Sequence, residues 1–274
     1  MRFSVLLSVY YKEKSEFLDQ ALNSILINQS VIPDEVVLVK DGPLTEELEK
    51  IINIYSSKFP NKLKIISLKE NVGLGKALEI GLSNCSNEIV ARADTDDINC
   101  SYRFEKQINE FIKDDELVAV GSYISEFHKS KDEITFIKKM PKSCEEIIKM
   151  SKRRNPMNHM TVMFKKSPVI NVGSYKHLFY LEDYYLWVRL LENKAKLINI
   201  GESLVYVRTG EGMYTRRSNP KYIISWFKLQ KYMYSKKMIN EIDYVVNMMS
   251  IIIFILIPKR SKKYIYKYFL RNEV

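Results

Sequence analysis

Cysteine is scarce. Cys85, Cys100 and Cys144 are three in 274 residues, odd in number and without metal-ligand spacing, which excludes a disulfide framework and a zinc site and fits a reducing compartment. Met1 to Val9 runs straight into a strand pattern with no small-residue cleavage site, so no signal peptide and a cytoplasmic location are expected. The apolar run Val245 to Ile257 is thirteen residues long, short of the roughly twenty that span a bilayer as a helix. The formal charge is +10, yet no RNA-recognition signature or zinc-finger spacing accompanies it, so no nucleic-acid partner is expected. An anionic membrane surface or a phosphorylated ligand would satisfy the same charge. Gly73-Leu74-Gly75-Lys76 lacks the leading glycine of a phosphate loop, and Ala77 stands where that loop needs a hydroxyl, which argues against a Walker-type ATPase.

What is present begins with apolar content: 46% of residues, enough for a real core in one large α/β domain or two small ones. Phe3 to Tyr10 reads as a buried strand, Glu16 to Asn28 as a helix, Asp34 to Val39 as a strand and Glu46 to Phe59 as a helix. Leu63 to Leu68, a helix over 76–83 and the Glu88 to Ala93 strand continue the alternation. Strands alternating with helices predict a parallel sheet with right-handed crossovers. Ligands in such sheets sit at strand carboxyl ends, where Tyr10-Tyr11, Asp41 and Asp94 to Asp97 all fall.

The Glu88 to Ala93 strand ends in three carboxylates, Asp94, Asp96 and Asp97. Like charges so close repel unless a cation sits among them or one keeps a proton. The competing reading is an acidic turn in which Asp97 caps a helix beginning near Asn99. Further on, Arg103 to Ile112 predicts a helix, Val118 to Phe127 and Glu133 to Lys139 strands, and Cys144 to Lys152 a helix. Asn155 to Phe164 reads as a polar turn feeding a strand, with His159 at the junction as either an acceptor contact or a structural histidine.

Leu181 to Leu191 has helical spacing at Tyr184, Trp187, Val188 and Leu191. Glu182 and Asp183 then sit at the helix start, favoured by its dipole, and a carboxylate held against aromatic rings can also act as a general base. After a strand over Ser203 to Val207, the segment Arg208 to Arg217 carries two glycines and Arg208, Arg216 and Arg217, suiting either a loop that closes on a pyrophosphate or a solvated basic loop. The Val245 to Ile257 run followed by Pro258-Lys259-Arg260-Ser261-Lys262-Lys263 fits a helix lying at a membrane interface or a hairpin packed on the main domain.

Taken together, Ser4 to Tyr11, Asp41-Gly42, Asn71-Val72-Gly73, Arg92 to Asp97 and Glu182-Asp183 occur in the order and approximate spacing of glycosyltransferase family 2. The chain resembles in particular the branch of bacterial enzymes that build O-antigen, capsule and exopolysaccharide. The resemblance implies the GT-A fold, an α/β architecture with a mostly parallel Rossmann-like sheet flanked by helices. It implies a domain over 1–217, with a nucleotide-sugar half at 1–100 and an acceptor half at 101–217, then a helical, basic, membrane-associating extension at 218–274.

Position by position, the resemblance implies that Ser8, Tyr10, Glu13, Asp41, Asn71, Gly73, Lys76, Arg92, Asp94, Arg216 and Arg217 bind the donor nucleotide. Asp96 with Asp94 would hold Mn²⁺ or Mg²⁺, supported by Asp97. Asp183 would be the base, with Glu182 beside it, and His159 and Trp187 would contact the acceptor. One departure is Lys40, which stands before Asp41 where many relatives carry a second acid.

The activity so implied is inverting transfer of a hexose, galactose or glucose, from a UDP-sugar donor to a lipid-linked saccharide acceptor, at the cytoplasmic membrane surface. Two alternatives stand beside it. A nucleotidyltransferase should carry a glycine-rich loop after the first strand, and Tyr10-Tyr11-Lys12-Glu13-Lys14 has no glycine. A non-catalytic nucleotide-binding protein would have no need of intact Asp94, Asp96 and Asp183.

Overall fold

The computed structural model describes residues 1–209 and 220–256. Its N-terminal third is the expected alternation: β1 (Phe3–Val9), α1 (Ser15–Leu26), β2 (Glu35–Lys40), α2 (Glu46–Lys58), β3 (Leu63–Ser67), α3 (Leu74–Asn84) and β4 (Ile89–Arg92). These four strands pair in parallel in the order β3-β2-β1-β4, so their carboxyl ends open on one edge.

The chain continues through β5 (Ile98–Asn99), α4 (Arg103–Lys113), β6 (Leu117–Phe127), β7 (Ile134–Lys138) and α5 (Cys144–Ser151). A 3-10 turn (His159–Thr161), β8 (Met163–Lys165), α6 (Lys166–Asn171), α7 (Glu182–Glu192) and β9 (Lys196–Arg208) follow. Here the sheet becomes mixed. β8 lies antiparallel between β4 and β6, β9 runs parallel to β6, and β7 and β5 pair antiparallel at its margins.

Two local expectations change. Asp97 does not cap a helix near Asn99, because Ile98 and Asn99 form a short strand against Tyr206 and Val205. The strand expected over Ser203 to Val207 starts at Lys196; exposed Gly201 and Glu202 interrupt its apolar pattern, and the register against β6 shifts there.

Both faces of the sheet are covered, which is why β1 and β2 read as nearly unbroken apolar runs. Val5, Leu7, Val36 and Leu38 pack with Leu18, Leu22, Leu48 and Phe104 of α1, α2 and α4. Leu6, Val37 and Val39 pack on the opposite face with Leu78, Leu82, Leu186 and Trp187 of α3 and α7.

α8 (Pro220–Ser235) and α9 (Glu241–Leu256) lie against α7. Tyr222, Trp226, Leu229 and Met233 of α8 and Ile251 of α9 form a cluster with Tyr184 and Val188. Asn247 fastens α9, donating to the Lys152 carbonyl at 2.7 Å and to Gln230 at 2.8 Å. The other face of α9 exposes Ile242, Val245, Met249, Ile252 and Ile253. Among the described residues, no helix is long and apolar enough to cross a membrane.

Gly81 is the contact point of α3 with the sheet, since a Cβ there would lie 2.5 Å from Leu6 and 2.7 Å from Val39. Both neighbours are fully buried. Gly81→Ala is therefore expected to destabilise the fold by about 1–3 kcal/mol through overpacking, read as a lower urea midpoint with an unchanged slope.

Candidate active site

One cavity of about 1140 Å³ opens where β1, β2 and β4 end. Its first wall is built by Asp41. The Asp41 carboxylate accepts from the Val72 and Gly73 amides at 2.7 and 3.1 Å and from the Asn71 side chain at 3.1 Å, and so clasps the turn before α3. Gly42, at φ +87°, lets this turn approach: a Cβ there would sit 2.8 Å from the Asn71 nitrogen. Asp41, Asn71 and Gly73 thus share one element of the lining, with Ser8 and Tyr10 beside them. Lys40 turns away to Glu49 at 2.5 Å.

The second wall is the acidic turn after β4. Ligand atoms of Asp94, Asp96 and Asp97 lie within 4.8 Å of one another, a separation at which each like pair repels by about 3 kcal/mol for an effective dielectric near 20. Burial, then Asp94 and Glu13, push Asp96 up to about 7. Asp94 is held by the buried Arg92 in an ion pair. Glu13 reaches the turn too, accepting from the Thr95 hydroxyl at 2.9 Å. Asp97 is buried beneath, where it accepts from the Arg208 amide at 3.1 Å and ties the end of β9 to the turn. The set of hard carboxylate oxygens, short of positive charge, fits a divalent cation at Asp94 and Asp96.

Arg92 is 2% exposed, yet lines the cavity with its Nε and Nη1 lacking a hydrogen-bond partner. Buried guanidinium N–H groups in that condition fit an anionic ligand. The Arg92 carbonyl accepts from Arg103 at 2.7 Å. Arg103 is itself fully buried, and burial, then Arg92, lower it to about 9.

The third wall is the start of α7. Asp183 accepts from the Asn155 side chain at 2.6 Å and from the Tyr184 amide at 2.7 Å. Burial raises Asp183, while burial and then Asp183 raise Glu182 to about 7. Gly75 permits the start of α3 to close on this pair, since a Cβ there would meet that of Glu182 at 3.3 Å. His159 also lines the cavity, with Nε2 3.0 Å from the Tyr175 hydroxyl. Burial, then Arg92, hold it well below the usual imidazole range, so the ring is neutral.

Two expected site residues have other places, and two more are not described. Trp187 is fully buried behind the wall, edge-on to His159 at 6.1 Å, and does not line the cavity. Lys76 pairs with Glu79 at 2.7 Å on the exposed side of α3, outside the lining. Arg216 and Arg217 lie outside the described residues. The sequence reading assigned no role to Asn155, Arg103, Tyr175 or the cations Lys138, Lys139 and Arg154, although all four of Asn155, Lys138, Lys139 and Arg154 line the cavity.

Comparison with known proteins agrees with this geometry. Residues 4–178 match the model of glycosyl transferase family 2. The UDP-Gal:alpha-D-GlcNAc-diphosphoundecaprenol beta-1,3-galactosyltransferase of Escherichia coli is 38% identical over 99% of this chain and 97% of its own. The amylovoran biosynthesis glycosyltransferase AmsE of Erwinia amylovora is 42% identical over 84% of each chain. Among solved structures, S. aureus TarS 1-349 in complex with UDP-GlcNAc superposes with a TM-score of 0.67 at 18% identity, covering 92% of this chain and 72% of that one. An acidic turn at the end of a parallel strand, a second carboxylate pair across the cavity and a family match over most of the chain converge: it belongs to glycosyltransferase family 2 and has the GT-A fold.

Proposed function

We propose that the chain transfers a hexose, galactose in the first instance, from a UDP-sugar to a lipid-diphosphate-linked saccharide, inverting the anomeric carbon, in bacterial surface polysaccharide biosynthesis such as that of O-antigen, capsule or exopolysaccharide. The observation that carries this reading is that one cavity is lined by the Asp94 and Asp96 carboxylates and by the Asp183 carboxylate. Near full-length likeness to an enzyme named for UDP-Gal and a lipid-linked GlcNAc supports the choice of substrates.

In this reading Asp94 and Asp96 hold Mn²⁺ or Mg²⁺, which would offset charge on the departing diphosphate. Arg92 donates its two unpartnered N–H groups to the same anion. Asp41, Asn71 and Tyr10 flank the nucleoside. Asp183, fixed by Asn155, takes the proton of the acceptor hydroxyl as that oxygen attacks the anomeric carbon and the diphosphate leaves from the opposite face. Direct displacement of this kind inverts the centre. Neutral His159 offers a hydrogen bond to acceptor or donor sugar without adding charge.

The function is tested by incubating the purified protein with Mn²⁺, a panel of UDP-, GDP- and dTDP-sugars and a GlcNAc-diphosphate-alkyl acceptor, with product detected by mass. UDP-galactose is expected to give product, abolished by EDTA; transfer from a GDP- or dTDP-sugar alone would reject the donor assignment. Asp183→Asn should lower kcat by about 100-fold or more while leaving donor binding intact, and Asp96→Ala should instead weaken Mn²⁺-dependent binding of UDP.

The raised carboxylates set the pH profile. A base must be ionised to work, so a raised Asp183 acts only above its own elevated pKa, and kcat/KM should rise with pH along a limb displaced above the ordinary carboxylate range. Glu182→Gln removes the neighbouring negative charge and should move that rising limb to lower pH. A profile with no rising limb above the ordinary carboxylate range would remove Asp183 from the base role.

Location at the inner face of the cytoplasmic membrane belongs to the same proposal. The exposed apolar stripe of α9 and the basic Pro258 to Lys263 sequence after it suit an anionic bilayer surface. Val245→Ser with Met249→Ser is expected to reduce co-sedimentation with phosphatidylglycerol vesicles several-fold; undiminished co-sedimentation would assign the stripe to another contact.

A further inference from the structure

The cavity is lined by two signs of charge. Carboxylates dominate where it meets β1 and β4, whereas Lys138, Lys139 and Arg154 line it where β7 and the turn after α5 close it. All three cations belong to the Asp183 side. Asn155, the next residue after Arg154, donates to Asp183. Burial raises Asp183, and Lys138 is among the charges that pull it back. At Asp96, beyond burial, the acting charges are Asp94, Glu13 and Arg92.

Lys139 and Arg154 are exposed, and neither has an ion-pair partner among the described residues, while Arg153 is taken by Asp243 at 3.4 Å. Apolar side chains share that part of the lining, with Phe136, Met140 and Tyr222 nearly buried, and the buried Glu126 stands across from Phe136 on β6. Cations set in an apolar wall match an anion that carries a hydrocarbon chain. The acidic turn, which would hold a divalent cation, and the unpartnered N–H groups of Arg92 already answer to the donor's diphosphate.

We propose that Lys138, Lys139 and Arg154 form the binding site for the diphosphate of the lipid-linked acceptor, and that this anchor sets which acceptor hydroxyl reaches Asp183. The inference rests on the glycosyl-transfer reading. It assigns acceptor choice to charge at the diphosphate and leaves the sugar itself to contacts near His159 and Asp183.

The test uses the full chain with Mn²⁺ and UDP-galactose, and two acceptors: an α-GlcNAc diphosphate bearing a short alkyl chain, and the alkyl glycoside of GlcNAc without the diphosphate. For the first, Lys139→Ala with Arg154→Ala should raise KM by about tenfold or more, since each charge-assisted bond is among the stronger kinds, and Arg154→Lys should recover part of the loss. KM for UDP-galactose and KM for the uncharged acceptor should stay within about twofold of the parent. Both positions are exposed, so the variants are expected to fold, which an unchanged thermal midpoint checks. A raised donor KM would assign the cations to the donor's diphosphate and overturn the proposal, as would an equal rise for both acceptors. Absence of any UDP binding to the parent protein with Mn²⁺, measured by thermal shift, would instead bring down the transfer reading itself.

Discussion

The buried guanidinium of Arg92 is the charge on which the site depends. Left alone, the acidic turn and the Glu182–Asp183 pair would gather carboxylates at one cavity, with burial raising the proton affinity of Asp96, Asp97, Glu182 and Asp183. Arg92 works against that rise at Asp96, Asp97, Glu182 and Asp183 alike, and is ion-paired with Asp94. The same positive charge keeps His159 neutral, after burial has done most of the work. One side chain therefore couples the acidic turn to the Glu182–Asp183 pair electrostatically, although the two are built on different elements. Its desolvation is expensive, and the unpartnered Nε and Nη1 mean that the protein alone does not complete its hydrogen bonding.

Arg92 is held rigid from behind. It closes β4 at the centre of the sheet, its amide donating to Val162 and its carbonyl accepting from Arg103. Arg103 is in turn fixed by Asn99 and by Gln107, which also donates to the Val120 and Thr161 carbonyls at 2.6 and 2.8 Å. Asp97 meanwhile joins the turn to β9, and Glu13 joins it to the loop after β1. The acidic turn is thus tied to four separate segments before any ligand arrives. Carboxylates fixed in advance need little reorganisation when charge develops on a leaving group, which is where electrostatic catalysis gains most.

The half of the site that was legible in the sequence is the half built from consecutive βα units. Asp41 and Asp94 to Asp97 each end an apolar run, and parallel topology brings such ends together without further information. Asn155, Lys138, Lys139 and Arg154 were not legible, because β7 and the turn after α5 come to the cavity through the antiparallel insertion of β8 between β4 and β6, and nothing in a local pattern states that pairing. Trp187 carried a signal that was available: Leu186, Trp187, Val188 and Leu190 make α7 apolar nearly all round, the mark of a helix buried on several sides. Lys76 likewise stands three residues before Glu79, a spacing at which the two pair on the helix surface. Helical spacing identified the face of α7 correctly but not what that face packs against.

The C-terminal helices bear on the chemistry as well as on any membrane. Tyr222 of α8 lines the cavity, and Trp226 packs on Tyr184, the residue directly after Asp183. The Tyr184 hydroxyl donates to the Ser151 carbonyl at 2.6 Å, and Asn247 donates to the adjacent Lys152 carbonyl. Arg153, one residue further, pairs with Asp243. The turn that delivers Arg154 and Asn155 to the cavity is therefore braced by α9, and the start of α7 that carries Asp183 by α8. Removing these helices would expose the Tyr184 and Val188 surface and loosen Asn155 from Asp183, so a truncated chain would lose transfer even with a water-soluble acceptor. Point changes on the exposed stripe of α9 leave that bracing intact, which makes them the means of separating attachment to a surface from support of the base.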